Sequence, residues 1–211
     1  MQTDKFPFGA AIKFGWQKTK ENFWSLIAIT LIWIVISGMF NSTAKNFEKT
    51  MPLANLIIQI VSAVVSMIMT LGITRISLKV YRGEKFEVTE LFNSSGLLLK
   101  YFLASLLYFL AIAVGLILLI VPGIILMLRM SFYTYLIVDK QLGPVESLKE
   151  SMRLTKGSCF NLFLFWFVVL GVFLLGLLAL IVGVIVAIPV TVIAWIFVYR
   201  YLETKQQPVV A

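Results

Sequence analysis

A charge-free run from Gly157 to Tyr199 constrains the fold more than any other feature of this sequence. The run contains 43 residues (157–199), and Lys156 and Arg200 bound it. A helix needs about 20 apolar residues to cross the hydrocarbon core of a bilayer, because each residue advances it by about 1.5 Å. The run is therefore long enough for two crossings, joined by the short apolar segment 176–183.

The composition of the whole chain places most of it in lipid. Its 211 residues are 60% hydrophobic and 13% charged, whereas soluble domains carry about 25% charged residues. Hydrocarbon cannot satisfy backbone polar groups, so only helices or closed barrels cross it. The apolar runs lack the alternation of barrel strands, which predicts an all-α membrane protein. The net charge of +8 lies beside apolar spans and indicates anionic lipid headgroups rather than nucleic acid.

The residue inventory argues against catalysis. The chain has no histidine, which removes the commonest metal ligand and the commonest base at neutral pH. Its single cysteine, Cys159, excludes an internal disulfide. No pair of carboxylates shares a face within a span, and no glycine-rich phosphate loop follows a strand. We therefore expect a non-enzyme without a metal or a cofactor.

Hydropathy predicts six spans in a single domain, residues 1–211. The predicted spans are residues 23–40, 52–77, 101–120, 122–138, 160–178 and 184–199. Amphipathic segments at residues 8–22 and 139–157 are predicted to lie along the membrane surface. The first has Phe8, Ile12 and Trp16 on its apolar side and Lys13, Gln17 and Lys20 on the opposite side; the second has Val145, Leu148 and Met152 on its apolar side. Residues 41–51 are predicted to form a loop, and residues 202–211 a disordered tail.

The distribution of basic residues predicts the orientation. Fifteen Lys and Arg side chains flank the spans on one side, and only Lys45 and Lys49 lie on the other. The positive-inside rule then places both termini in the cytoplasm.

An internal repeat is also predicted. Residues 11–24 align without gaps to residues 147–160, so that Lys13 matches Lys149 and Lys20 matches Lys156. Each copy precedes a pair of spans, and residues 88–102 form a weaker third copy. The pattern predicts three parallel helical hairpins with repeat units 8–80, 86–138 and 143–202.

Two segments carry a family resemblance. Residues 121–129 read VPGIILMLR, and residues 142–157 read LGPVESLKESMRLTKG. They resemble a widespread group of six-span bacterial membrane proteins of unknown function, which is similar to the membrane domain fused to some glycerophosphodiester phosphodiesterases. The resemblance implies a six-helix protein of the plasma membrane. It implies no activity, because the catalytic barrel of those fusions has no counterpart in this chain.

Arg129 is the one ionisable residue well inside a predicted span. An arginine at the bilayer centre costs about 2.5–3.5 kcal/mol on insertion scales, so it requires a partner or water. Tyr133 lies one turn further along the predicted helix, and the second span has a polar stripe. That stripe comprises Asn55, Gln59, Ser62, Ser66 and Thr70. One interpretation is that Arg129 and the stripe hold helices together; the other is a site for an anionic ligand or lipid headgroup.

Two functions therefore remain open at the level of sequence. The first is an accessory or scaffold protein that binds anionic phospholipids, another membrane protein or a second copy of itself. Its interfacial lipid contacts would be Lys13, Trp16, Lys20, Lys149, Arg153 and Lys156. The second is a small transporter or channel for an anionic or amphipathic substrate, with a path near Arg129 and the polar stripe. A hydrated cavity that reaches Arg129 would favour the second.

Overall fold

The computed structural model describes residues 6–47 and 51–206, apart from the side chains of residues 45, 46 and 180–182. Over these residues the protein is all-α, and six helical segments are long and apolar enough to cross a membrane. The predicted fold class, an all-α multi-pass membrane protein, is confirmed. The helices are α1 Phe8–Glu21, α2 Phe23–Phe47, α3 Pro52–Arg82, α4 Leu98–Leu118, α5 Ile120–Arg129, α6 Tyr133–Lys140, α7 Pro144–Leu154, α8 Cys159–Leu178 and α9 Leu180–Gln206.

Several helices are longer than the sequence predicted. The predicted loop 41–51 is wrong up to Phe47, because α2 continues to that residue; residues 48–50 lie outside the described residues. The amide of Asn41 donates to the Ser37 carbonyl at 2.8 Å, and the Thr43 hydroxyl donates to the Met39 carbonyl at 2.8 Å. These bonds satisfy the two polar side chains within the helix, so polarity beyond the apolar run does not by itself end α2.

The other end of the chain shows the same kind of difference. The predicted disordered tail is wrong for residues 202–206, which form the last turns of α9. Leu202 is buried, and the Gln206 amide donates to the Leu154 carbonyl at 2.9 Å. Residues 207–211 lie outside the described residues.

Adjacent spans pack in pairs, α2 with α3, α4 with α5, and α8 with α9. Glycines permit the closest approaches: a Cβ atom on Gly123 would lie 2.6 Å from Leu116, and one on Gly183 would lie 2.2 Å from the Gly176 carbonyl. The pairing is compatible with three hairpins, while the parallel repeat stays a prediction. Helix α9 also packs against α1, α2 and α3, which makes it the central helix.

The predicted fourth span, 122–138, lies within one of the six spanning segments, residues 120–140, but this segment is not one unbroken helix. Helix α5 ends at Arg129, and α6 begins at Tyr133 after a turn. The turn before α5 is centred on Leu119, whose extended backbone (φ −162°, ψ 144°) separates α4 from α5. Helix α5 has ten residues and is about 15 Å long, half of what a spanning helix needs.

Helix α7 supplies the hydrogen bonds that this break requires. The hydroxyl of Ser151 donates to the Arg129 carbonyl at 2.8 Å and accepts from the Phe132 amide at 3.1 Å. Thr155, directly after α7, donates to the same carbonyl at 3.0 Å. The break therefore leaves neither the Arg129 carbonyl nor the Phe132 amide unpaired.

The packed face of α7 differs from the predicted one. Leu148 is buried as expected, but Val145 is 50% exposed. The buried side contains two serines together with two leucines, and it packs against α4 and α6. The serines lie inward because their hydroxyls bond main-chain groups; Ser147, for example, donates to the Pro144 carbonyl at 2.9 Å.

One end of the helix bundle, here called the basic end, is held together by buried charge. The carboxylate of Asp139, at the end of α6, is 4% exposed and accepts hydrogen bonds from Arg82 of α3 and from Arg200 of α9, the latter at 2.9 Å. The Tyr199 hydroxyl donates to its other oxygen at 3.0 Å. Glu203 joins the cluster through Arg200 at 2.7 Å and Lys140 at 2.6 Å. Three helices are thus tied at one carboxylate.

We expect Asp139→Asn to destabilise the protein strongly. The substitution removes the buried carboxylate that Arg82 and Arg200 share and leaves Arg200 with Glu203 alone, and breaking such a buried pair costs about 3–5 kcal/mol. A clear fall of the melting temperature in detergent micelles would show this loss. Glu84→Gln is the matched control, because Glu84 is half-exposed and 3.8 Å from Arg82, so its loss costs about 0.5 kcal/mol or less. Equal melting temperatures for the two variants would contradict this role of Asp139.

We also expect Ser151→Ala to lower stability, by about 1–3 kcal/mol. The variant leaves the Phe132 amide without its partner and removes one of the two hydroxyl donors to the Arg129 carbonyl. Thermal unfolding in micelles measures the effect, with Ser95→Ala, at an exposed position in a 3₁₀ turn, as the control. If the Ser151 variant were as stable as the control, the Ser151 hydroxyl would not be needed to satisfy the backbone groups at the helix break.

Candidate functional site

The side chain of Arg129 contacts the end of α7. Its Nη2 atom donates to the Met152 carbonyl at 3.1 Å, in the last turn of α7. A cation at a helix C-terminus interacts favourably with the partial negative charge of the terminal carbonyls. The observed bond is compatible with the interpretation of Arg129 as a residue that holds helix ends together; that interpretation and the alternative of a ligand site both stay predictions.

Tyr133 is separated from Arg129 by the helix break, so the two do not continue along one helical face. The ring of Tyr133 stacks on Tyr101 and Tyr108, with centroids 5.9 and 5.1 Å apart. Its hydroxyl lies 3.1 Å from that of Ser105 on α4. Tyr133 therefore belongs to an aromatic cluster between α4 and α6.

The polar stripe of the second span lies along α3 as predicted, but its hydrogen bonds stay largely within that helix. Gln59 donates to Asn55 at 3.3 Å, and Thr70 donates to the Ser66 carbonyl at 2.8 Å. Gln59 and Ser66 are exposed, whereas Asn55 and Ser62 are half-buried.

The structure does not bring Arg129 and this stripe together. Helix α5 packs chiefly on α4 and α8, and α3 packs chiefly on α2, α9, α6 and α4. The five cavities described for the protein are lined by other residues. These cavities thus give no path that joins Arg129 to the stripe.

Helix α1 presents a basic face because its other face is fixed against α9. Gly15 approaches α9 so closely that an added Cβ atom would lie 2.3 Å from the Val190 carbonyl. Ala11 and Thr19, one turn on either side of it, are fully buried. The sequence predicted Phe8, Ile12 and Trp16 as the apolar side of this helix. Phe8 and Ile12 do pack, half-buried, against the core, but the row in closest contact with α9 is the one of small residues. Small side chains occupy the face of α1 that contacts α9, because they allow the backbones of the two helices to approach each other. The predicted separation of Trp16 from the lysines is wrong, because the Lys20 side chain lies over its ring.

Lys13, Trp16 and Lys20 point away from this contact. The indole of Trp16 is 48% exposed, and the ammonium group of Lys20 lies over it, 5.7 Å from the ring centroid. Among the described residues, neither Lys13 nor Lys20 forms an ion pair, whereas Lys18 binds Glu21 at 2.7 Å. Two cations of α1 therefore carry uncompensated charge around an exposed indole.

An apolar groove adjoins this basic face. Its volume is about 470 Å³, and it lies between α1, α8 and α9. Ile12 and Trp16 line it from the α1 side, and Val172, Val186 and Val190 line its walls. The indole of Trp16 thus touches both the groove and a lysine ammonium group.

The second predicted basic segment, on and after α7, is more compensated. The guanidinium of Arg153 donates to both carboxylate oxygens of Glu150, at 2.7 and 2.6 Å. These hydrogen bonds lower the pKa of the Glu150 carboxyl, so the pair is ionic at neutral pH and its charges cancel. Lys149 and Lys156 are exposed and without ion pairs among the described residues.

The Asp139 cluster is not among the sites predicted from the sequence. A signal was present, because Asp139 is an acid directly after an apolar span and needs a counter-charge if the span packs closely. Its partners are 57 and 61 positions away in sequence, and no local pattern indicates which basic residues they are. The cluster pairs its charges internally, which marks it as a structural site.

The comparisons with known proteins identify a family without a known function. Residues 91–208, more than half of the chain, match the family described as domain of unknown function DUF7847. The uncharacterised proteins Rv2560 of Mycobacterium tuberculosis and Mb2590 of Mycobacterium bovis are each 23% identical to this chain, in an alignment covering 98% of it and 71% of their own length. No solved structure matches the chain.

These matches confirm the resemblance to a family of unknown function in part. The similarity to membrane domains fused to glycerophosphodiester phosphodiesterases stays a prediction. Because the family match covers α4 to α9 almost entirely, it includes the broken fourth span, α7 and the central helix. The chain belongs to the DUF7847 family.

Proposed function

We propose that this protein is a non-catalytic accessory protein of the plasma membrane that binds anionic phospholipid through α1. The observation that carries the proposal is the pair of uncompensated cations, Lys13 and Lys20, on either side of the exposed Trp16. Lysines near a membrane surface attract anionic lipids, and an indole is suited to the boundary between headgroups and hydrocarbon.

The orientation that follows from the positive-inside rule supports this proposal. With both termini in the cytoplasm, α7 lies at the inner leaflet of a bacterial inner membrane, and α1 begins there and runs along α9 as far as Val190. Lys149 and Lys156 would then add positive charge to the same leaflet. Arg153 contributes less, since Glu150 neutralises it.

The inventory of reactive groups supports a role without catalysis. The chain has no histidine, and the buried acidic cluster around Asp139 is saturated by Arg82, Arg200, Lys140 and the Tyr199 hydroxyl. These carboxylates are paired within the fold and tie helices together, which is a structural role. A scaffold role towards another membrane protein, or towards a second copy, is compatible with this inventory.

The transport alternative has less support from the geometry. Arg129 is engaged with the Met152 carbonyl, and α3 keeps its stripe of polar residues apart from α5. We therefore expect Arg129→Gln and Gln59→Leu to leave phospholipid binding unchanged. A measured anion flux through the parent protein in liposomes that either variant abolishes would instead establish transport.

We expect the double variant Lys13→Gln/Lys20→Gln to lower the affinity for phosphatidylglycerol by about thirtyfold. Each lysine near an anionic surface contributes roughly 1 kcal/mol, so the two contribute about 2 kcal/mol, and a tenfold change corresponds to about 1.4 kcal/mol. Native mass spectrometry in detergent with added phosphatidylglycerol or phosphatidylcholine measures the loss of preference for the anionic lipid.

The matched control removes the same charge elsewhere. Lys85→Gln/Lys205→Gln also replaces two exposed lysines but leaves α1 intact. If both double variants lose the same preference, the effect is one of net charge and α1 is not the site. If neither loses it, the proposed lipid binding through α1 is wrong.

A further inference from the structure

We infer that the groove between α1, α8 and α9 holds one acyl chain of the anionic phospholipid whose headgroup lies against Lys13 and Lys20. This inference rests on the proposed function and adds a second half to the same site. The ligand would then be a single phospholipid, bound at a fixed place by both its headgroup and one hydrocarbon chain. It would not be a diffuse layer of anionic headgroups.

The chemistry of the groove fits a hydrocarbon chain. None of its lining residues is charged, and its walls are aliphatic side chains with one indole. An apolar cavity of about 470 Å³ offers no polar partners to water and is filled favourably by hydrocarbon. The groove is open along one side, so a chain can enter it laterally.

Trp16 joins the two halves of the site. One part of its side chain lines the groove, and Lys20 lies over its ring at 5.7 Å. Lys13 is one helical turn before Trp16, on the same side of α1, since residues three and four positions apart are neighbours on a helix. A phospholipid has the matching order of groups: an anionic phosphate, a polar–apolar boundary and a hydrocarbon chain.

The site is pre-formed because α1 cannot rotate. The contact between Gly15 and the Val190 carbonyl fixes the axial orientation of α1 on α9, and Thr19 is buried one turn later. Val190 also lines the groove, so the residue that fixes α1 forms part of the wall. Binding therefore needs little ordering of the protein, which favours retention of the lipid.

The experiment fills the groove without touching the lysines. Val186→Phe on α9 and Val172→Phe on α8 each place a larger side chain in the groove. We expect each variant to retain phosphatidylglycerol at least threefold less well than the parent protein in native mass spectrometry. Val114→Phe is the matched control, since Val114 is 55% exposed on α4 and outside the groove.

The outcomes separate this inference from the proposed function. If the double lysine variant loses phosphatidylglycerol while both groove variants bind it as the parent does, the groove inference is overturned and the proposed function stands. If the groove variants lose phosphatidylglycerol and phosphatidylcholine equally and the lysine variant loses neither, both the proposed function and the inference are overturned. Loss of phosphatidylglycerol binding in both the lysine variant and the groove variants supports a site made of the lysines and the groove.

A second measurement does not depend on the folding of the groove variants. Phosphatidylglycerol with brominated acyl chains quenches the fluorescence of indoles that its chains contact. We expect stronger quenching in the parent protein than in Trp16→Phe, and no such difference with the brominated phosphatidylcholine. Equal quenching of the parent and Trp16→Phe by brominated phosphatidylglycerol overturns the inference.

Discussion

The need to satisfy backbone polar groups in an apolar environment governs how this protein is assembled at its basic end. The fourth span breaks after Arg129, and hydrocarbon offers no partner for the groups that a break exposes. Ser151 and Thr155 supply those partners, which requires α7 to pack against the break rather than lie free on a surface. Because α7 is anchored there, its last turn also receives the Arg129 guanidinium.

The same end of the bundle holds most of the tertiary packing. Asp139 follows the break by a few residues and links α6 to α3 and α9 through two guanidinium groups. The short connection before α4 folds back on α3, where Leu91 is fully buried against Gly72 and Glu90 binds Lys79 at 2.7 Å. Many aliphatic side chains towards the other end stay exposed, as expected where lipid is the solvent.

The sequence predicts the spans well because hydropathy alone determines which segments enter lipid. It predicts the helix ends poorly, since Asn41 and Thr43 extend α2 through side-chain bonds that hydropathy does not register. The break after Arg129 is also invisible, because no proline or glycine lies between residues 129 and 133. Among the candidate site residues, the lysines of α1 were predicted as a basic face. The groove beside them was not, because it depends on how α8 and α9 pack.

The lipid site proposed on α1 is a consequence of packing rather than of amphipathic patterning alone. A free amphipathic helix would turn Ile12 and Trp16 together into the bilayer. Here Gly15 and its small neighbours take the protein-facing side, because they allow α1 to approach α9 closely. This orientation of α1 turns Trp16 towards the groove and leaves Lys13 and Lys20 without acidic partners among the described residues. A larger residue at position 15 would therefore displace the helix and with it both halves of the site, so lipid binding and the α1–α9 contact are physically coupled.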